Sequence, residues 1–570
     1  MQLPALFLAL MVVIAGCASP GSSRDQSGGG ESSQPTGPKR VTLAVAGDPP
    51  TLNYRLNTSG TGNVPGVNAL EQMVHAGLGV FDDQGVLRAR VAEALPTIEN
   101  GAWRVFPDGR METTWKIRPG VFWHDGTPFT SEDLAFTARV GSNKETSLEY
   151  VIAYDYIERY EATDASTFTI YWSRSFIGAD EMFTSGAGGG RMLAIPKHVL
   201  EPPFNERKAT FTEQPYWTIE YIGVGPYKVK DWVRGSHIVL TANDQYILGR
   251  PKIDEVEVKF FSDARIVGAS ILAGAVQGTI GRGPSLEQAV EIRDQWRDGR
   301  MEMRPNNTLV IFPQFLDPTP PILTNVDFRR AMLHAIDRKE LTATMLAGLS
   351  QPAESFIAPD DPLYKDVESF NVRYEYSLTR SAQLIEGLGY TKDGDGLYRD
   401  SASQLLSVGI QVAGGEEIPE RSALAVADYW QRAGVTTVPF FIPAQQQRDR
   451  ELRATFRSFK IQNNPNEAGR LARFQSFQTP LPENNFLGDN YPRYINPEFD
   501  RLIDRYFTTI PTRERNQALG GILRHMTDQV TMMGLFYNME ATMVSNRIEN
   551  LHATHLAATQ AWNAHEWDLK

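Results

Sequence analysis

The chain has 570 residues, of which 41% are hydrophobic and 22% are charged, so it can bury a large core and form more than one lobe. Its formal net charge of -12 argues against nucleic acid as a partner, because affinity for a phosphate backbone depends on clustered Lys and Arg. Cys17 is the single cysteine, which excludes a disulfide within the chain and a cysteine-based metal site.

The first 40 residues have the pattern of a targeting segment followed by a tether. An apolar run of 14 residues precedes Cys17, which is typical of a signal-peptide core and too short to span a bilayer. Ile14-Ala15-Gly16-Cys17 resembles a bacterial lipobox. We therefore expect residues 1–17 to be a signal peptide, Cys17 to carry lipid, and the Ser-, Gly- and Pro-rich residues 18–40 to be a flexible tether. A buried cysteine near an ordinary N-terminus is the alternative interpretation.

The folded body is predicted to begin with a strand. Residues 41–45 are apolar and partly β-branched, which favours a buried strand. Residues 111–117 alternate between apolar and polar side chains, and Pro119-Gly120 then predicts a turn. A helix is predicted to begin at Ser131, because Ser caps helices well and two acidic residues follow it in the first turn.

The stretch WHDGTPFT, residues 123–130, places His124 beside Asp125. Adjacent residues of an extended chain point to opposite sides, so the two side chains cannot share a proton as a catalytic or metal-binding dyad would. Asp125 and Gly126 supply the chemistry of a tight turn, and a Pro follows them. The stretch is therefore predicted to be a turn between a strand and a helix.

Residues 327–338, DFRRAMLHAIDR, have the periodicity of an amphipathic helix. Arg329, Arg330 and Arg338 lie off the apolar stripe, which favours a solvated or salt-bridged face; a carboxylate clamp is the alternative interpretation. The stripe is formed by Phe328, Ala331, Met332, Ala335 and Ile336.

Several stretches contain residue types that metal or phosphate sites use. Asp393 and Asp395 have calcium-loop spacing, but the expected glycine and the terminal Glu are absent, which favours a hairpin turn. SGAGGGR, residues 185–191, lacks the ending of a phosphate loop, so Gly186, Gly188, Gly189 and Gly190 are predicted to form a mobile loop. His552 and His555 would share a face if they lay on a helix and, with His565 and Glu566, could ligate a metal; surface histidines are the favoured interpretation.

Six segments together resemble the extracellular solute-binding proteins of family 5, which include the oligopeptide-, dipeptide- and nickel-binding components of ABC importers. They follow in the order of that family across nearly the whole mature chain. The segments are WKIRPGVFWHDGTPFTSEDLAFT (115–137), IPKHVL (195–200), GVGPYKV (223–229), NDQYILGRPKID (243–254), DFRRAMLHAIDRKEL (327–341) and NPEFDRLID (496–504).

The resemblance implies an α/β, two-lobed periplasmic-binding-protein-like fold of type II, in the large cluster with an extra inserted subdomain. Lobe I would comprise residues 41–304 plus 536–570, with the insertion at about 77–186. Lobe II would comprise residues 305–535. Two crossings between the lobes would form a hinge around a ligand cleft.

The function implied is that of a substrate-binding lipoprotein of an ABC importer. It would be extracytoplasmic and lipid-anchored to the bacterial cell membrane, either in a periplasm or at the outer face, and would deliver a solute to the permease subunits as a monomer. The chain contains no GxSxG elbow and no HExxH motif, and no nucleophile with a base or metal constellation stands out, so we expect no enzyme, cofactor or metal site. An extracytoplasmic enzyme or a ligand sensor on the same scaffold is the alternative.

Residues near the expected crossings are the candidate ligand-binding positions. They come from the segment after the first strand, from each crossing and from a late loop of lobe II. The candidates are Asn53, Tyr54, Gln314, Phe315, Asn463, Asn464, Asn466, Glu467 and Tyr537.

The late loop also bears on the ligand class. Peptide-binding members of the family hold the peptide ammonium with an aspartate in a tryptophan-containing loop, and the matching stretch here, FKIQNNPNEAGR, contains Phe459, Asn463 and Asn464 but no Trp or Asp. A buried ammonium without a carboxylate would cost several kcal/mol. We therefore expect a polar solute without a free N-terminal ammonium, such as a modified peptide or an oligosaccharide. A free peptide remains an alternative, because Glu467 could supply the carboxylate.

Overall fold

The computed structural model describes residues 37–58, 66–143, 145–146, 148, 151–186, 192–281 and 283–570. The predicted signal peptide, Cys17 and the tether up to residue 36 lie outside the described residues. Gly188, Gly189 and Gly190 of the glycine-rich stretch also lie outside them. In the described part of the chain, no helix has the length and apolar character needed to cross a bilayer.

The strands, numbered in chain order, cover much of the body. They are β1 (Arg40–Ala46), β2 (Gly79–Phe81), β3 (Leu87–Ala89), β4 (Trp103–Val105), β5 (Met111–Lys116), β6 (Ile157–Ala162), β7 (Thr167–Trp172), β8 (Tyr227–Val233), β9 (His237–Ala242), β10 (Glu255–Phe261), β11 (Gly278–Thr279), β12 (Gly299–Pro313), β13 (Thr391–Lys392), β14 (Tyr398–Arg399), β15 (Ser407–Ala413), β16 (Thr436–Ile442), β17 (Phe459–Asn464), β18 (Met533–Ser545), β19 (Ile548–Glu549) and β20 (Asp568–Leu569).

The α-helices are numbered in the same way. They are α1 (Tyr54–Thr58), α2 (Val67–Val74), α3 (Ser131–Gly141), α4 (Lys197–Glu206), α5 (Ala264–Leu272), α6 (Leu286–Gln295), α7 (Val326–His334), α8 (Arg338–Met345), α9 (Tyr364–Val367), α10 (Leu378–Gly387), α11 (Glu417–Ala433), α12 (Arg450–Ala454), α13 (Pro497–Thr508) and α14 (Thr512–Asp528).

A ten-stranded mixed sheet runs through the molecule in the order β16-β15-β17-β12-β18-β11-β1-β10-β9-β8. At one end β15 is parallel to β16 and β17, and at the other β1 is parallel to β10 and β11. The antiparallel strands β12 and β18 join these two halves, with register shifts between Pro305 and Asn307 and between Leu309 and Val310. Both predicted crossings therefore fall within paired strands rather than within loose linkers.

Separate hydrophobic cores cover the two halves of the sheet and a smaller sheet. One core surrounds Leu43 and Val258, and another surrounds Ile410 and Trp430. A third core, which includes Trp115, packs on the four-stranded sheet β4-β5-β7-β6. That sheet lies within residues 103–172, inside the segment predicted as the inserted subdomain.

The early sequence predictions are confirmed with small changes of boundary. The strands predicted at residues 41–45 and 111–117 are β1 and β5, and α3 begins at Ser131. The N-cap is Thr130 rather than Ser131, and the backbone N–H of Thr130 donates to Oδ2 of Asp133 at 2.9 Å. Asp393 accepts hydrogen bonds within the β13-β14 hairpin, which confirms the predicted turn there.

The apolar stripe of residues 327–338 is confirmed, but the helix ends at His334 and Arg338 begins α8. The prediction of a solvated or salt-bridged face is wrong for Arg329, whereas Arg338 is salt-bridged to Glu354 at 3.0 Å. All five stripe residues are at most 1% exposed. Arg329 and Arg338 are also buried, at 2% and 7% exposure. The guanidinium of Arg329 donates to the carbonyl oxygens of Leu323 and Gln529. These side chains are buried because they satisfy backbone acceptors at the ends of neighbouring segments.

Candidate ligand-binding site

A polar cavity lies where β12 and β18 cross the centre of the sheet. It encloses about 430 Å³, within the range of roughly 300–1,000 Å³ that is typical of small-molecule sites. Its walls come from both strands, from the segment after β17, from the C-terminal segment and from the region of α1 and α2. The lining residues are Tyr54, Gly66, Asn68, Gly281, Arg304, Pro305, Asn306, Asn307, Asn463, Pro465, Glu467, Arg470, Glu540, Thr542, Ala553, Thr554, His555, Leu556, Ala558, Thr559 and Gln560.

A chain of asparagine amides crosses the sheet beside the cavity. The amide of Asn538 donates to the side-chain oxygens of Asn307 and Asn463, at 2.7 Å in each case. The amide of Asn463 in turn donates to Oε2 of Glu416 at 3.3 Å. These bonds connect β12, β17 and β18, and they fix which way the amides of Asn307 and Asn463 point.

Both carboxylates that line the cavity are already engaged. Oε2 of Glu467 lies 3.5 Å from Nε of Arg470. Glu540 accepts a short hydrogen bond from the amide of Asn306. Arg304 lies directly opposite Glu540 in the strand register, yet in the part of the chain that the structure describes it has no ion-pair or hydrogen-bond partner.

His555 closes one wall of the cavity and is only 4% exposed. Its Nδ1 accepts a hydrogen bond from the backbone N–H of Ala557 at 3.2 Å, and its Nε2 lies 3.6 Å from Oδ2 of Asp361. His552 and His555 lie in irregular backbone and not on a helix, so they do not share a helix face. Among the described residues, no group of His, Cys, Asp and Glu is arranged to hold a metal ion.

Three of the sequence-predicted ligand residues, Tyr54, Asn463 and Glu467, line the cavity. Asn53 lines a smaller adjoining pocket that also contacts Tyr54. The amide of Asn53 donates to Oε1 of Glu71 at 3.0 Å, and burial raises the pKa of Glu71 to about 7. Asn53 therefore contributes to a buried hydrogen-bond network behind the cavity.

Five other predicted residues lie outside the lining of the cavity. Gln314 donates to the carbonyl oxygens of Ala454 and Phe456. The ring of Phe315 packs against Tyr494, with centroids 4.6 Å apart. Tyr537 donates to the carbonyl oxygen of Ser355 at 2.9 Å. Asn464 and Asn466 are also buried, at 1% and 0% exposure. Successive side chains of a strand point to opposite faces, so on β17 Asn463 reaches the cavity while Asn464 does not.

Sequence reasoning missed Arg304, Asn306 and Asn307 on β12, Glu540 and Thr542 on β18, and the whole wall formed by residues 553–560. The only usable signal was the position of the predicted crossings. No periodic pattern marks the C-terminal segment, because it has irregular backbone.

The WHDG stretch is the predicted turn. Gly126 has φ of +91° and its N–H donates to the carbonyl oxygen of Trp123 at 2.8 Å. Oδ1 of Asp125 accepts from the N–H of Thr127 at 3.0 Å, and its other oxygen lies 2.7 Å from Nε2 of His198. His124 turns the other way and contacts the GVGPY segment, so the turn joins three of the family-like motifs.

The mixed sheet has two halves that are joined by the long strands β12 and β18, and a polar cavity of small-molecule size lies where they join. This arrangement is that of a two-lobed solute-binding protein. The profile of the bacterial extracellular solute-binding proteins, family 5 Middle, matches residues 100–477. The chain therefore belongs to the bacterial extracellular solute-binding proteins of family 5.

Known structures agree with this assignment at the level of the fold. The oligopeptide-binding protein AppA of Bacillus subtilis, in complex with a nonapeptide, is 20% identical and superposes with a TM-score of 0.68 over 94% of this chain and 100% of that chain. NikZ of Campylobacter jejuni, in complex with Ni(L-His), is 18% identical with a TM-score of 0.71 over 93% of this chain and 99% of that chain. The fold is the two-lobed, type II fold of periplasmic binding proteins.

One curated relative is a putative ABC transporter peptide-binding protein of Brucella ovis. It is 24% identical over 291 residues, which are 51% of this chain and 51% of that protein. The match thus spans about half the length of the relative.

Proposed function

We propose that the chain captures a small polar solute in the cavity between two lobes and delivers it to the permease of an ABC importer. The observation that supports this most is the polar cavity of about 430 Å³ at the crossing strands. Family membership and the names of the relatives agree with this role. The proposal is binding and delivery without catalysis.

The proposed lobes are residues 41–304 plus 536–570, with an insertion at about 77–186, and residues 305–535. The cavity is lined by Thr542 and Gln560 of the first lobe and by Asn463 and Glu467 of the second. A solute that contacts both walls binds the closed arrangement more tightly than the open one and so shifts the population toward closure. Closure is the change that a permease would recognise.

The proposed solute is peptide-like or otherwise polar and lacks a free N-terminal ammonium. Glu467, the carboxylate best placed by sequence to receive an ammonium, is already paired with Arg470. Burying an ammonium beside an engaged carboxylate would leave charge uncompensated, at a cost of several kcal/mol. A modified peptide or an oligosaccharide fits better, and a free peptide is the alternative to be tested.

The protein is proposed to act outside the cytoplasm as a monomer that is attached to the membrane through lipid on Cys17. A tether of about 22 residues would span roughly 25 Å as a flexible coil, which leaves room for the body to meet a permease.

The test begins with the purified, unrefolded protein. Native mass spectrometry is expected to detect a copurified polar solute. Calorimetry with free tripeptides, N-acetylated tripeptides and oligosaccharides is expected to give micromolar binding for one of the last two classes. Glu291→Gln, on helix α6 away from the cavity, is the control for Glu467→Gln.

Micromolar binding of free peptides that Glu467→Gln abolishes and Glu291→Gln leaves unchanged would contradict the proposed ligand class. The absence of any copurified solute, together with no binding in all three classes, would contradict solute capture itself.

A further inference from the structure

We infer that Arg304 forms an oxyanion subsite in the cavity, which receives a carboxylate or a phosphate group of the solute. This inference rests on the proposed solute-binding function and narrows its ligand class. It assigns a role to a side chain on β12 that sequence reasoning did not select.

The first argument is that the donors of Arg304 are unused. The residue lines the cavity and is half-buried. The other lining charges are engaged, because Arg470 lies beside Glu467 and Glu540 accepts from Asn306. A guanidinium has five N–H donors in a planar fork, and within the described ranges none of those on Arg304 has an acceptor. These donors are accessible rather than buried, so the fork can receive a ligand that enters the cavity.

The second argument concerns His555, which lines the same cavity. Nδ1 of His555 accepts from the backbone N–H of Ala557, so in the neutral ring the proton is on Nε2. Nε2 is buried and has no hydrogen-bond partner among the described residues; Oδ2 of Asp361, at 3.6 Å, lies beyond hydrogen-bond distance. His555 therefore offers the cavity no accessible donor, and among the described lining residues Arg304 is the cationic side chain that has no acceptor.

The third argument concerns the negative charges around Arg304. Glu540 lies opposite it in the register but is engaged by Asn306. Asp360 is not among the lining residues, and both of its carboxylate oxygens are buried without a hydrogen-bond partner in the described chain. Burial raises the pKa of Asp360, and the nearby positive charge of Arg304 opposes that rise. Asp360 thus lies close enough to interact with Arg304 through space while leaving its donors open.

An oxyanion fits this arrangement better than a neutral carbonyl. The two parallel N–H donors of a guanidinium match the paired oxygens of a carboxylate or phosphate, and such charge-assisted pairs are roughly twice as strong as neutral hydrogen bonds. Asp360 would compete electrostatically with the incoming anion. The structure therefore predicts opposite effects for the removal of the two charges.

The test compares charged solutes with neutral counterparts by calorimetry. One arm uses N-acetylated tripeptides with a C-terminal carboxylate against the same peptides with a C-terminal amide, and the other uses a hexose phosphate against the hexose. In one of the two arms, we expect the wild type to bind the charged solute at least tenfold more tightly than its neutral counterpart. The arm that shows this difference tells whether the subsite receives a carboxylate or a phosphate.

Two variants should then move the affinity in opposite directions. Arg304→Gln is expected to abolish the difference between charged and neutral members, whereas Arg293→Gln, which removes one charge on helix α6, should leave it intact. Asp360→Asn is expected to strengthen binding of the charged member at least threefold and to leave the neutral member unchanged. Arg304→Lys keeps the charge without the fork and should retain part of the difference; it replaces Arg304→Gln if that variant does not fold.

Each contrary result overturns a distinct statement. Equal binding of charged and neutral members by the wild type would overturn the oxyanion subsite and leave solute capture intact. Weaker binding of both members by Asp360→Asn would mean that Asp360 pairs with Arg304 when the lobes close, and would also overturn the subsite. Failure of both arms, with no copurified solute, would overturn the proposed function as well.

Discussion

His75 is buried and His124 is partly buried, and both imidazoles hold the GVGPY segment in place. Nδ1 of His124 accepts from the N–H of Gly223 at 3.2 Å, and its Nε2 lies 3.1 Å from the carbonyl oxygen of Gly225. His75 accepts from the N–H of Val224 at 3.1 Å. Burial lowers the pKa of His124 to about 3 and that of His75 to about 4. Both rings are therefore neutral in the folded protein near pH 7.

The folded-state pKa of His124 lies below its unfolded value of 6.5, so the unfolded chain binds the additional proton as the pH falls. Its contribution to stability is fully present above pH 6.5 and is lost as the pH falls from there toward 3. Well below pH 6.5 the loss approaches about 1.4 kcal/mol per pH unit.

We predict that His124→Gln lowers the free energy of unfolding by about 1–2 kcal/mol at pH 7.5, because two backbone hydrogen bonds are weakened. The deficit should shrink to near zero by pH 5, since the wild type alone has a histidine to protonate at position 124 and both proteins share the penalty from His75. Urea titrations at pH 7.5 and pH 5 measure this, and ligand affinity should stay within about threefold. His237→Gln is the matched control. A deficit that is constant with pH, or a loss of binding in a folded variant, would contradict this account.

At the scale of elements, helix α7 is held in place by the buried side chain of Arg329. The periodicity of the sequence predicted that this side chain would lie on the solvated face of the helix. Arg329 donates to the carbonyl oxygens of Leu323 and Gln529, at 2.7 Å for the shortest bond to each. Burial lowers the pKa of Arg329 to about 10, which leaves it charged at neutral pH. Its guanidinium also lies 4.6 Å from the centroid of the Phe315 ring. One side chain thus joins α7 to the end of β12 and to the segment after α14.

We predict that Arg329→Lys lowers the free energy of unfolding by about 2–3 kcal/mol, because an ammonium cannot reach both carbonyl groups in the geometry of the fork. Arg330→Lys on the same helix is the control. Arg330 is more exposed, with 28% of its side chain accessible, and should cost under about 1 kcal/mol. Chemical denaturation of both variants checks this, and equal losses would show that burial of Arg329 is not the cause.

At the scale of the whole molecule, β12 and β18 determine how the halves are connected. They span 15 and 13 residues, and the cavity residues lie along their middle. Under the proposed function, a ligand in the cavity would contact both crossing strands, and its binding would be coupled to the relative orientation of the halves.

The proposed attachment to the membrane also concerns the whole molecule. We predict that Cys17→Ser releases the protein from bacterial membranes into the soluble fraction, because a thiol is required to take the lipid. Fractionation followed by immunoblotting measures this, with Ser22→Ala in the predicted tether as the control. Equal membrane retention of the Cys17→Ser variant and the wild type would refute the lipid anchor.

The sequence by itself determined the class of fold, the positions of several strands and helices, and the turn at residues 123–128. These features depend on interactions within a few residues of each other, such as the alternation in β5, the apolar stripe of α7 and the positive φ of Gly126. Interactions between residues that are close together in the chain can be predicted from the order of the residues alone. The motifs, taken together in order, then identified the family.

Only the tertiary structure decided which side chains line the cavity and which arginines are buried. Tyr54, Asn463 and Glu467 were found from their nearness to the crossings, but Gln314 and Tyr537, equally near, have their polar atoms bonded within the core. The difference comes from distant partners in the sequence, because Gln314 bonds the carbonyl oxygens of Ala454 and Phe456 and Tyr537 bonds that of Ser355. The position of Arg304 opposite Glu540 in the register of β12 and β18, and the return of His555 to the same cavity, depend on contacts between residues more than 200 positions apart, which no local pattern encodes.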